Sequence, residues 1–336
     1  MRLTSGVFAL LFLAACGPPP PTAGLATSTR LTPVSPPTSA ALSFACRLPF
    51  IKYIDPGHYQ NGFIDFPSGA FSVDPSAPPD PGYYDRAVSR WLPVGRGAVA
   101  PDGRHYAYMT GGIGVTSSPP GMGLTFSPPR LHIVDAATGA ERVLALALTD
   151  QQPYGVEDFA ADGVYVGSSW EGVRYGIWRV DPANGNVTDL GKQDHFADDG
   201  TGHAWVSQFD SRDPNPAPNA MGGLPMPNEV GRRDLKTGTV QVWFYHPGFT
   251  VAVAGAFVGG GVLVWVEPST GGGHEYWVVT SPTDSRLVAH LENGGGVMAD
   301  THGIWMGASD GLYLFTSEGS VKRVSDLLGD PGNGCI

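Results

Sequence analysis

The sequence predicts an all-β chain folded as a β-propeller of six four-stranded blades, with five blades plus a cap as the alternative. Three observations lead there. A strand–turn–strand grammar recurs five times, as "AVAPDGRHYAYMT" (98–110), "EDFAADGVYVGSS" (157–169), "HFADDGTGHAWVSQ" (195–208), "GAFVGGGVLVWVEP" (255–268) and "GVMADTHGIWMGAS" (296–309). The second strand of each is rich in Tyr, Val or Trp, as suits a half-buried strand. A second hairpin follows each time, at 130–146, 175–191, 230–245, 274–291 and 311–327, so each unit holds four strands that bury their faces only by stacking on copies of themselves. Finally, 47 Gly, 31 Pro and 15% charged residues, without any sustained 3.6-residue apolar period, predict little helix.

Taken in order, the elements begin with an export signal. Arg2 precedes an apolar run from Val7 to Ala15 that falls short of the roughly 20 residues a spanning helix needs. Residues 1–15 suit a signal peptide instead. Leu13, Ala14, Ala15 and Cys16 resemble a bacterial lipobox. That resemblance implies lipidation of Cys16, which becomes the mature N-terminus and anchors the chain to a membrane on its extracytoplasmic face. An ordinary signal peptide with an incidental cysteine is the alternative. Residues 16–42 are rich in Pro, Ser and Thr and read as an extended tether. Residues 43–336 form the propeller domain, with Cys46 and Cys335 at its two ends. An exported chain permits a disulfide between them, which would fasten the last segment to the first. Two free thiols are the alternative.

Residues 46–94 are the irregular part. "NGFIDFPSGAFSVD" places a Pro-Ser-Gly turn between alternating runs, and "YYDRAVSRWLPV" reads as a second, irregular hairpin, so the segment is taken as the sixth unit. Pro101, Asp102, Gly103 and Tyr108, followed by "LHIVDAATG", resemble the WD40-like PDG repeats of periplasmic propellers of the TolB family. The other units lack the Pro. The resemblance covers 98–327 as architecture and implies no particular activity. The Pro- and Gly-rich stretches 111–129 and 208–229 are read as loop insertions, with a shorter one at 147–154.

Function is less legible. A formal charge of −11 without any Lys/Arg cluster argues against nucleic acid. The nine His show no H-E-x-x-H or Cys/His spacing, so no metal is expected, and no cofactor either. No glycine loop leads into a helix. His195, Asp198, Asp199 and His203 form the densest polar set, and Asp is expected at such turns for conformational reasons. Seven of the eight Trp recur in the strand units, where packing between blades is the default. Trp91, Trp170, Trp205, Trp265 and Trp305 are the candidates for an open face that stacks on a sugar or an apolar peptide group. The leading expectation is a binding or scaffolding module at the cell envelope, contacting protein or glycan through 111–129 and 208–229. The enzyme alternative is a glycan-processing activity using carboxylates of the central channel, with Asp158, Asp199 and Asp300 as candidates.

Overall fold

The computed structural model describes residues 42–336 apart from 81, 119–120, 150, 171–172, 192–193, 211–225, 257–260, 269–272, 293 and 317–319. The expected signal peptide, Cys16 and most of the expected tether therefore lie outside the described residues, as does the greater part of 208–229. No helix among the described residues is long and apolar enough to cross a membrane.

The strands form five four-stranded antiparallel sheets, one three-stranded sheet and a separate two-stranded hairpin, consistent with propeller-like blades. Three sheets follow the chain strand by strand across 194–245, 249–291 and 294–325, and a fourth does so across 155–189. The three-stranded sheet consists of His105–Ser118, Gly121–Asp135 and Glu141–Ala145, with a single bridge from Val99 to Tyr106 on its inner side. The first strands of successive sheets touch in series: Gly155–Ala160, Asp194–Asp198, Phe249–Ala256, Gly294–Asp300 and Gly329–Pro331.

The sheets are held together by apolar layers between neighbours. Ala107, Leu131 and Ile133 pack on Phe159, Val164 and Val180. Tyr165 and Ile177 pack on Ala204 and Val206. Trp205, Val230 and Phe244 pack on Val251, Val264 and Trp277. Leu263, Tyr276 and Leu291 pack on Ile304, Met306 and Phe315. A sheet covered on both sides needs apolar residues at successive positions, not alternate ones. The second and third strands therefore read as continuous runs: "GLYLFT" at Gly311–Thr316 is buried through its first five residues. The fourth strand lies at the outer edge, where Glu141–Ala145 is almost wholly exposed. The Asp of the second-hairpin turns has a common role. Asp135 Oδ1 accepts the N–H groups of Ala137 and Thr138, and Asp234 Oδ1 accepts those of Lys236 and Thr237. These are Asx turns that satisfy the turn backbone locally.

Three expectations are corrected. The first sheet is completed by Gly329–Pro331, which pairs with Phe50–Lys52, so a strand from the C-terminus and the disulfide both close the first sheet. The hairpin Tyr83–Asp85/Arg90–Leu92 belongs to no larger sheet and is wedged between two. Its register pairs Tyr84 with Trp91 and Tyr83 with Leu92 on opposite faces. Tyr84 and Trp91 pack on Ile51 and Phe63, while Leu92 packs on Tyr106 and Val134. Third, residues 111–118 and 121–129 are not loop but the far halves of two long paired strands. Gly103 holds φ +66°, and a Cβ there would meet Ala87 Cβ at 2.8 Å, which explains the glycine of the PDG turn.

Cys46 and Cys335 form the expected disulfide, with Cα atoms 5.4 Å apart and a sequence separation of 289. A loop of that length limits the unfolded chain by about 5 kcal/mol in the chain-entropy account, and measured effects are often smaller. The paired Cys46→Ser, Cys335→Ser protein should keep its far-UV circular dichroism, because Gly329–Pro331 still pairs, and lose about 2–5 kcal/mol in denaturant unfolding.

Candidate functional site

The long hairpin is the first feature that the packing does not account for. Its strands pair from His105↔Asp135 out to Ser118↔Gly121, yet the third strand covers only Arg130 to Val134. Between Thr110 and Gly112 the register shifts, and Gly111 and Gly112 hold φ +85° and +75°. At Gly112 a Cβ would run into the carbonyl oxygen of Gln152, and Ile113 N–H donates to that same oxygen at 3.1 Å. This bulge marks the base of a two-stranded arm. Leu124 and Phe126, two residues apart and so on one face, are 55% and 52% exposed. A lone hairpin is marginal in water, and large apolar groups on it find no cover among the described residues.

The inner strands carry the carboxylates. Asp158, on Gly155–Ala160, accepts the backbone N–H of Asp198 on the neighbouring first strand at 2.6 Å. Burial pushes Asp158 up to about 7, reinforced by the Asp198 charge, while that N–H and Arg96 work the other way. Asp198 is also raised, chiefly by burial and then by Asp162 and Asp199. Two acidic groups on adjacent strands thus share one poorly solvated position. Asp199 differs. Burial alone would raise it, but Thr201 and Arg232 outweigh that and lower it. The Arg232 Nε contact is 2.8 Å, the Asp199 side chain has no exposed area, and Arg232 lies over the rings of Trp205 and Trp243 at 5.8 and 5.5 Å. Asp300 is engaged as well: Oδ2 accepts Trp305 Nε1–H and the Cys335 N–H, both at 2.8 Å, and Oδ1 accepts the His302 N–H at 2.7 Å. Of the three carboxylates picked from sequence, only Asp199 has a counter-charge in hydrogen-bond contact.

The tryptophans divide in the same way. Trp205 and Trp305 have no exposed area and Trp91 is 5% exposed, so all three pack inside inter-sheet layers instead of lining an open face. Trp265 is only partly buried, its ring 5.1 Å from that of His274. The Trp170 side chain lies outside the described residues.

One cluster escaped sequence reasoning. Asp300, His302 and Cys335 bring an oxygen, a nitrogen and a sulfur within 4.8 Å of one another, with the sulfur engaged in the disulfide. His302 stacks on Phe44 at 4.0 Å, and its Nδ1 is buried without a hydrogen-bond partner. Spacing rules search for ligands near one another in sequence, and four strands separate Cys335 from Asp300 and His302. The arm was masked by its Pro and Gly content, although the alternation of Leu124 and Phe126 was a readable strand signal.

Two outcomes follow. Because Asp158 is raised in the folded state, its own contribution to folding is fullest below about pH 4 and is lost as pH climbs to about 7. Asp158→Asn should therefore raise the thermal midpoint at pH 8 by a few degrees, corresponding to about 2 kcal/mol after discounting for residual solvent, and should do little at pH 4. Arg232→Ala, which strands the Asp199 charge, should cost about 3 kcal/mol by denaturant unfolding at pH 7.

No protein-family model matches the chain, and no curated protein matches it. Among solved structures, the chain is similar to TolB from Acinetobacter baumannii, with 11% identity over 86% of this chain and 67% of that one, at a TM-score of 0.44. It is also similar to Porphyromonas gingivalis dipeptidyl peptidase 4, with 9% identity over 82% of this chain and half of that one (50%), at 0.43. A nidogen/laminin complex gives 12% identity over 66% and 80% respectively, at 0.39. The likeness is one of architecture.

Proposed function

We propose that the chain is an exported, lipid-anchored propeller of six blades that binds or scaffolds a partner protein at the cell envelope through its hairpin arm. The observation that carries this reading is the pair Leu124 and Phe126, large apolar side chains more than half exposed on one face of a two-stranded projection. Aliphatic and aromatic groups side by side suit a protein surface better than a polar glycan. Six first-strand positions support the blade number: the Val99–Ala100 edge, the four inner strands between Gly155 and Asp300, and Gly329–Pro331. The basic and apolar start ending in Cys16 supports the anchor, and a disulfide at the ends of the domain suits an oxidising compartment. The Pro-rich tether would set the domain away from the membrane and leave the arm free to search.

A photo-crosslinking residue placed at 124 or 126 in the cell, followed by mass spectrometry, should recover one partner at near-equal abundance. The Leu124→Asp, Phe126→Asp double variant should lose at least tenfold of that partner while keeping its thermal midpoint, since both side chains face solvent. Recovery of the chain alone, or full retention of the partner by the double variant, would overturn the reading.

A further inference from the structure

We propose that the closure seam holds a second staple, exclusive of the first: with the Cys46–Cys335 disulfide open, Cys46, Cys335, His302 and Asp300 bind one thiophilic divalent cation of the zinc class. Four groups of the types such a cation takes meet at one place. Cys335 Sγ, a ring nitrogen of His302 and an Asp300 oxygen lie within 4.8 Å of each other, and Cys46 Sγ is joined to Cys335. Two sulfurs, one imidazole and one carboxylate match zinc's preference for four mixed S, N and O ligands.

The state of each ligand fits that use. His302 Nδ1 is buried, makes no hydrogen bond, and stands 3.5 Å from Asp300 Oδ1. A buried ring nitrogen without a partner is a costly arrangement that a metal would satisfy. Stacking on Phe44, with 16° between the planes, sets the plane of the ring. Asp300 Oδ2 is committed to Trp305 and Cys335, whereas Oδ1 accepts only the His302 N–H and keeps a lone pair. The donors on Asp300 orient it as outer partners orient metal-bound carboxylates elsewhere. Neighbouring ligand atoms around tetrahedral zinc stand roughly 3.5 Å apart, so the two sulfurs must part once the disulfide opens and the four ligand atoms must draw round one point. Cys335 is only partly buried and its neighbour Ile336 is half-exposed, which leaves room for that movement.

The chemistry balances. A dithiol reductant transfers two electrons and two protons to the disulfide, giving two cysteine thiols and an oxidised reductant. Zinc then displaces one proton from each thiol, forming two Zn–S bonds, while neutral His302 and ionised Asp300 donate lone pairs. The first sheet stays in place meanwhile, because Gly332 N–H still donates to Pro49 and Ile336 N–H to Arg47. Either staple therefore joins the two ends of the domain, one suited to oxidising and the other to reducing conditions.

The test uses the full chain carrying Cys16→Ala, so that only Cys46 and Cys335 report. It is reduced with a phosphine, which does not itself offer thiol ligands, and titrated with Co²⁺ and then Zn²⁺. One equivalent of Co²⁺ should give a thiolate charge-transfer band and the intense visible bands of a tetrahedral site, both bleached by Zn²⁺. The oxidised chain should give neither. His302→Ala should weaken Co²⁺ binding at least tenfold, and Cys335→Ser should abolish the charge-transfer band. Should His302→Ala unfold on reduction, the milder His302→Gln, which keeps bulk beside Phe44, takes its place. No band in the reduced chain, or equal affinity without the imidazole, would overturn the proposal.

Discussion

Everything in this molecule depends on the sheets being apolar on both faces. A strand such as Gly311–Thr316, buried along most of its length, is soluble only if another sheet covers each side. Covering one sheet exposes the next, and the demand passes along the chain until first and last meet. There Leu48, Phe50, Ile64 and Phe66 of the first sheet pack on Trp305, Leu312 and Leu314 of the last. The swapped strand Gly329–Pro331 and the disulfide sit at that junction, and both follow from the same requirement.

The junction also explains where the polar groups went. Asp300 anchors the terminal segment by accepting the Cys335 N–H and holds Trp305 by its indole N–H, so one carboxylate ties the last sheet to the chain end. Asp199 holds Arg232 across two strands of its own sheet. Asp158 accepts the Asp198 N–H from the next sheet without any charged partner, and burial beside that neighbour's charge raises it. Three aspartates alike in sequence thus have three roles, each decided by what the adjoining strand places within reach.

The arm is the complementary case. Between 105 and 110 its strands belong to a covered sheet, and beyond the glycine bulge they leave it. Inside the sheet, apolar residues such as Ala107 and Leu131 vanish from the surface. On the arm, Leu124 and Phe126 obey the same alternation with nothing described on top of them. Repetition of the strand grammar ends where the packing that maintains it ends.

By itself the sequence determined the local units. Recurrent Tyr-, Val- and Trp-rich strands, Asp-bearing turns and well-placed glycines specify hairpins through backbone geometry and period-two burial, both short-range. Cys46 and Cys335 were legible as a pair because only two cysteines remain in the domain. What joins residues far apart was decided by the tertiary structure. The strand Gly329–Pro331 is three residues long and carries no pattern of its own, so its place in the first sheet follows only from the open edge waiting there. The wedge at Tyr83–Leu92 needed two sheets to sandwich it. The burial of Trp91, Trp205 and Trp305, the counter-charge of Asp199 and the meeting of His302 with Cys335 all depend on which strands become neighbours. That is a property of closure, and closure is written in no single stretch of the chain.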